Sequence, residues 1–186
     1  LTDDLLVEGA TLLLQMELPQ ADTEAAIKHA RMRGCRVILN DAPFGPLSPE
    51  ALADVDILIA NEEEAMGLLG TGAGLESADL ARGLAGLCRG TGIVTIGAQG
   101  VVVASEGQSF HVPALPIQPI DTVGAGDTFC GVLAAALDRG ESLLDAVRRA
   151  AAASGVICTL PGAQSPELNE ARINAALADL PSVLHV

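Results

Sequence analysis

Four short apolar runs, residues 11–16, Arg36–Asn40, 55–60 and 92–96, constrain the fold of this chain more than any other feature. Each is nearly continuous rather than alternating, so each needs cover on both faces, as strands of a parallel sheet do. Helical patterns lie between them. Residues 22–33 open with Asp and Thr capping candidates and stop at Gly34, and residues 77–89 set Leu80, Leu84, Leu87 and Cys88 on one face and end at Gly90. This alternation predicts an α/β layered domain. After Ile96 the pattern switches, with residues 97–100 joining the strand at 92–96 to Val101–Ser105 in a hairpin-like turn. Residues 110–113 and 115–120 carry three prolines and suit edge strands or extended connections. Helices are expected over 127–137, 143–157 and 169–180, with residues 160–166 a loop before the last. No internal repeat or linker interrupts the pattern, so residues 1–186 read as a single domain.

With 186 residues, 49% of them hydrophobic, the chain can bury a sizeable core, yet it has no Trp or Tyr and only three Phe. Ligand pockets will therefore have mostly aliphatic walls. A net charge of −14 leaves no basic surface for displacing counterions from nucleic acid. An anionic substrate would have to bind through helix ends, a metal ion or a few arginines. No apolar run reaches the length of a membrane span, so no membrane partner is expected. The four cysteines are widely spaced, with no neighbouring His in a ligand spacing, and read as buried reduced thiols of a cytoplasmic protein. The chain begins at Leu1 and enters a strand pattern almost at once, which reads as a processed or partial chain.

Asp121-Thr-Val-Gly-Ala-Gly-Asp-Thr-Phe-Cys-Gly131 carries the chemistry. A glycine-rich turn runs straight into an apolar helix with Asp127 at the junction. The first turn of a helix has backbone N–H groups without intrahelical partners, at the positive end of the macrodipole. Gly124 and Gly126 would let an anion approach those donors, so Asp127 stands as a base beside an anion hole. Phosphoryl transfer to a hydroxyl needs that pairing. The plainer alternative is a tight turn whose aspartate caps the helix.

Three further segments follow strand ends, where open α/β sheets bind ligands. Asn61-Glu62-Glu63-Glu64 reads as a capping box, and the same groups could hold hydrated Mg²⁺ and phosphate. Thr95-Ile-Gly97-Ala98-Gln-Gly100 could approach phosphate or ribose through backbone N–H groups, or be a plain turn. Glu17, just past the first strand, could accept hydrogen bonds from a polyol or be a solvated loop acid. Gly70-Thr-Gly-Ala-Gly74 follows a helix rather than a strand and is rejected as a phosphate loop.

Taken in order, these segments resemble the PfkB/ribokinase family of sugar kinases, and its ribokinase branch most closely. The carriers are Leu13-Leu-Gln-Met-Glu17, Leu39-Asn-Asp-Ala-Pro43, Val55-Asp-Ile-Leu-Ile-Ala-Asn-Glu-Glu-Glu64, Thr95-Ile-Gly-Ala-Gln-Gly-Val101, the 121–129 signature and Pro161-Gly-Ala-Gln-Ser-Pro166. The resemblance implies a three-layer α/β/α fold with a mostly parallel central sheet. It implies ATP-dependent phosphorylation of a sugar hydroxymethyl group, D-ribose before fructose, 2-keto-3-deoxygluconate or a nucleoside. A non-catalytic nucleotide-binding homologue is the rival from another class.

By the same resemblance, Asp127 takes the proton from the sugar, and the Gly124-Ala125-Gly126 amides stabilise the transferring phosphoryl group. Asn61 and Glu64 organise Mg²⁺ and phosphate, largely through water. Thr95, Gly97, Ala98, Gly100 and Ala151 line the nucleotide pocket, and Glu17 contacts the sugar. Asp121, with backbone oxygens near Val123, Ile157, Leu160 and Gly162 and with Ser165, forms a K⁺ loop. A homodimer is implied for the full-length protein. Two positions depart from the family pattern. Asp41 stands where the motif has proline, and Ala151 where ribokinases often carry a polar residue near the adenine. The family's N-terminal Gly-Gly sugar motif, early strands and β-lid have no counterpart here. The 186 residues alone are accordingly expected to bind nucleotide weakly, to associate through an exposed strand edge, and to lack sugar-kinase activity.

Overall fold

A computed structural model describes residues 5–186. The described residues form two compact units, one comprising residues 5–96, 102–111 and 185–186, the other residues 97–101 and 112–184.

The first unit is built on a sheet whose strands follow chain order: β1 (Thr11–Gln15), β2 (Arg36–Asn40), β3 (Ile57–Asn61), β4 (Thr91–Thr95), β5 (Val101–Ser105), β6 (Gln108–Val112) and β7 (Leu184–His185). The first four are parallel, with Gln15 beside Asn40, Asn40 beside Ile59, and Asn61 beside Thr95. Thr91 at the start of β4 hydrogen-bonds Ser105 at the end of β5 at 2.9 Å, so these two strands run antiparallel. The sheet is therefore mixed, and the four buried-type runs form its parallel part.

Each parallel strand adds on the same side of the last. Right-handed crossovers then place the connecting helices on one face. These are α1 (Gln20–Met32), α2 (Pro49–Leu52), α3 (Glu62–Leu69) and α4 (Ser77–Leu87). One apolar cluster confirms that arrangement, joining Ile27 of α1, Leu52 of α2, Ala65 of α3 and Leu80 and Leu84 of α4 to Val37, Leu39, Leu58 and Val94 of the sheet. The alternate residues Ile38, Ile59 and Ile93 are equally buried, as both-face cover requires. Gly92 lets α4 lie directly on β4, because a Cβ there would come within 2.2 Å of the Ala81 carbonyl oxygen.

The second unit contains α5 (Ala125–Asp138), α6 (Leu143–Cys158) and α7 (Glu170–Asp179). Ala152, Ile157, Leu160, Ala176 and Leu180 form a core there. An extended segment passes α6 at Gly155, where a Cβ would meet the Leu115 side chain at 2.7 Å.

Several boundaries differ from expectation for identifiable reasons. α1 starts at Gln20 because the Pro19 carbonyl accepts from the amides of Asp22 and Thr23; Asp22 complements the first turn instead of capping it. Residues 115–120 form no strand, since Pro116 and Pro119 have no N–H for a ladder. β7 carries no periodic signal in two residues and is set by pairing with β6, where Val186 N–H donates to the Ser109 carbonyl at 3.1 Å. Cys35, Cys130 and Cys158 are buried thiols, Cys88 is partly buried, and none of the four is in a disulfide.

Candidate active site

In the second unit, the glycine turn becomes the start of α5. Gly124 occupies the N-cap position at φ +78°, and no side chain caps the helix. Gly124 is required by both conformation and space, because a Cβ would sit 2.8 Å from the Ala163 backbone. Gly126 is required by neither. It is a helical residue, and a Cβ there would meet nothing within 4 Å. Packing thus gives no reason for glycine at 126, whereas a ligand approaching the helix end does. Asp127 lies in this first turn with its residue exposed, not turned into the core. The turn is anchored from α6 by Ser154, whose hydroxyl donates to the Ala125 carbonyl at 3.0 Å. A cleft of about 570 Å³ opens beside the turn, lined by Thr128 and by Ala163, Gln164, Ser165, Pro166 and Leu168.

Asp121 ties this turn to the loop after α6. One carboxylate oxygen accepts from Val123 N–H at 2.9 Å and the other from Gly162 N–H at 3.0 Å. Those two amides hold its carboxyl below the usual carboxylate range. The Cys158 carbonyl accepts from the amides of Ile120 and Asp121, closing the same loop, and the Ile157 carbonyl accepts from Leu160 N–H. Ser165 Oγ accepts from Glu167 N–H at 3.2 Å. Among the described residues no group of three or more His, Cys, Asp or Glu side chains could hold a metal. Ala151 is 8% exposed on α6.

In the first unit, the carboxyl ends of the parallel strands bring Glu17, Asn40, Asp41, Asn61, Glu64 and Thr95 to one edge of the sheet. The capping box is present in full. Asn61 Oδ1 accepts from Glu64 N–H at 2.9 Å, and Glu64 Oε2 accepts from Asn61 N–H at 2.8 Å. Glu64 is thereby fixed in orientation with its second oxygen left for an outside partner. A lone fixed carboxylate fits Mg²⁺, which keeps most of its waters and takes phosphate oxygens as further ligands. Glu17 is exposed. In the second unit, residues 97–100 form a short 3-10 turn closed by Gly100 N–H to the Gly97 carbonyl at 3.0 Å. Gly70 is the left-handed C-cap of α3, in keeping with the rejection of residues 70–74 as a phosphate loop.

Sequence reasoning missed Asp41 as a functional group. It is 0% exposed, its backbone N–H donates to Ile59, and its Oδ1 accepts from Gly45 N–H at 3.3 Å. Its Oδ2 is buried without a partner. Burial pushes its carboxyl up to about 6; the Gly45 amide opposes that rise and the charge of Glu64 adds to it. The signal in the sequence is a carboxylate directly after the apolar run Arg36–Asn40, at the proline position of the motif.

The second unit thus has an uncapped helix end with an adjacent aspartate, and the first unit has carboxylates at the carboxyl ends of parallel strands. The chain belongs to the pfkB family of carbohydrate kinases, whose model matches residues 3–170. It is 36% identical over 162 residues to the ribokinase of Haemophilus influenzae, covering 86% of this chain and 53% of that protein. The Thermotoga maritima ribokinase structure is similar at a TM-score of 0.84 and 28% identity, over 96% of this chain and 60% of that one. Arabidopsis thaliana ribokinase complexed with ribose and ATP is similar at 0.79 and 27%, over 90% and 55%. The chain thus has the ribokinase-like three-layer fold and spans about half the length of the curated relatives it matches.

Proposed function

We propose that this chain is the nucleotide-binding and catalytic part of an ATP-dependent sugar kinase whose acceptor is D-ribose, giving ribose 5-phosphate. The observation that carries the reading is the start of α5, where an uncapped helix end, a glycine that packing does not require and the exposed Asp127 occur together. Relatives named ribokinase support ribose as the acceptor. A Vibrio cholerae fructokinase structure, similar at a TM-score of 0.78 and 26% identity, keeps fructose as the second reading.

In this reading Asp127 accepts the proton of the sugar hydroxymethyl group. The amides of 124–126 stabilise charge on the transferring phosphoryl group, so alignment and charge stabilisation supply most of the rate. Asn61 and Glu64 orient hydrated Mg²⁺, which neutralises phosphate charge when bound. Thr95, Gly97, Ala98, Gly100 and Ala151 contact nucleotide and Glu17 the sugar. Asp121, Val123, Ile157, Leu160, Gly162 and Ser165 hold K⁺, which would steady the turn beside the anion site. Asp121 already fixes that turn through Val123 and Gly162. The working protein is proposed to be a cytoplasmic homodimer.

An ADP-release assay on the full-length gene product tests this, run over a sugar panel with Mg²⁺ and with or without K⁺. Stimulation by ribose alone is expected; stimulation by fructose alone would transfer the assignment to the second reading, and none with any sugar would end it. Asp127→Asn should lower kcat by orders of magnitude with nucleotide affinity little changed. An unaltered rate would remove Asp127 as the base.

A further inference from the structure

We infer that the cleft between α6 and α7 in the second unit binds a small organic carboxylate through Arg148. The inference does not rest on the kinase reading. The cleft has a volume of about 430 Å³ and is lined by Glu141, Asp145, Arg148 and Arg149, with Leu177 of α7. That volume falls within the range of about 300–1,000 Å³ typical of small-molecule sites. The other charged groups of the cleft already have partners. Arg149 Nε donates to Glu141 Oε2 at 3.0 Å, and its Nη1 donates to Asn174 Oδ1 at 2.8 Å, which joins α6 to α7. Glu141 is also paired with Arg139 at 3.2 Å. Asp145 Oδ2 accepts from Ser142 Oγ at 2.7 Å at the start of α6. Arg148 is the exception. Among the described residues it has no ion pair, and its Nε is buried with no hydrogen-bond partner.

An unanswered guanidinium is out of keeping with the chain around it. Acids outnumber lysines and arginines 24 to 10, so an arginine here has carboxylates to choose from. Asp145, three residues earlier on the same helix, is well placed by sequence for a pair, yet its carboxylate is turned to the helix start. A buried donor without an acceptor costs free energy that an incoming acceptor restores. Arginine presents a planar fork that matches the two oxygens of a carboxylate, and such a pair strengthens where water is partly excluded. Arg148 is partly buried and lines the cleft, so a ligand meets its terminal nitrogens rather than Nε. Glu141 and Asp145 on the same wall repel a dianion, which favours a monocarboxylate over phosphate. Leu177 offers contact for a short aliphatic chain. The site lies at the first turns of α6. Ser154, which holds the Ala125 carbonyl, is six residues beyond Arg148, about 9 Å along the helix axis.

The test is calorimetric titration of the full-length gene product with butyrate, with 2-aminobutyrate and with inorganic phosphate, in nucleotide-free buffer. One butyrate is expected per chain at millimolar concentration, with a rise in Tm. Arg148→Met, which keeps the aliphatic stem, should weaken butyrate at least tenfold and abolish that rise. Because Arg148 has no partner to lose, the ligand-free Tm of Arg148→Met should equal or exceed that of the parent. A clearly lower Tm would mean that Arg148 pairs within the protein, and would overturn the inference. Arg148→Lys keeps the charge without the fork and should bind butyrate with intermediate affinity. Arg172→Gln, which removes a surface arginine paired with Glu167, should leave affinity unchanged and so exclude diffuse attraction of anions. Tighter binding of 2-aminobutyrate than of butyrate would add Asp145 as acceptor of the ammonium group, and Asp145→Asn should then remove that advantage. Binding of phosphate alone, binding of neither carboxylate, or equal butyrate affinity in the parent and Arg148→Met would each overturn the inference. Sugar-dependent ADP release by the same protein is an independent readout, so its absence would defeat the kinase reading and leave the site standing.

Discussion

Asp41 shows at the scale of one residue how burial is converted into pH dependence. Its folded-state value of about 6 lies above the ordinary 3.8, so the folded chain holds this proton to higher pH than the unfolded chain does. Between those values the folded state binds more protons, and its stability falls as pH rises from about 4 to about 6, then levels. The contribution is on the order of 3 kcal/mol. Urea unfolding of the metal-free protein from about pH 4 to pH 7 should show that decline in the parent and lose it in Asp41→Asn. A slope unchanged by the substitution would mean that Asp41 does not titrate in this window. Asp121 has the opposite sign. Its lowered carboxyl favours the folded state above the ordinary carboxylate range, and that benefit fades only as pH falls through its folded value.

At the scale of the element, the start of α5 separates a glycine needed for packing from one that packing does not need. Gly124→Ala places a Cβ against Ala163 at a positive φ and should destabilise the protein by about 1–3 kcal/mol. Gly126→Ala enters open space inside a helix and should raise stability by up to about 1 kcal/mol, the helix preference of alanine over glycine. In the full-length enzyme Gly126→Ala should nonetheless lower kcat, because its methyl group projects where the phosphate would approach. Thermal unfolding and steady-state rates measured on both variants check this. A Gly126→Ala enzyme at full rate would remove the anion site from that helix end. The start of α3 gives the companion case, where Asn61→Ala removes the side-chain acceptor of Glu64 N–H, leaves the backbone bond to the Glu64 carboxylate, and should cost about 0.5–2 kcal/mol by denaturant unfolding.

For the whole molecule the governing quantity is the net charge of −14. Self-repulsion of that size opposes compactness, and salt screens it as the Debye length shrinks from about 30 Å at 0.01 M to about 8 Å at 0.15 M. Tm should therefore rise by a few degrees over that range in calorimetry, against the small loss from screening surface ion pairs such as Arg172–Glu167. The sheet supplies a second molecular property. Among the described residues β1 pairs only with β2, and its five residues are partly buried rather than sealed. An unpaired strand edge recruits other strands, so the 186-residue chain should associate with rising concentration in sedimentation velocity. A monomer at all concentrations would show that edge to be protected.

The sequence alone determined the elements and their class, because four buried-type strands and the helices between them are written in local periodicity. It also located the glycine turn and the helix after it, because both are local properties, although it expected the helix from residue 127 and the structure starts it at Ala125. The capping box of Asn61 and Glu64 was legible for the same reason: its partners lie three residues apart. Tertiary structure decided what depends on separated segments meeting. The packing of Gly124 against Ala163, the bond from Ser154 to Ala125 and the two-residue β7 on β6 have no local signature. Asp41 is the clearest instance. Its residue type was visible as a departure from a motif, but its missing partner and its repulsion by Glu64 arise only when β2 and β3 lie side by side and exclude water.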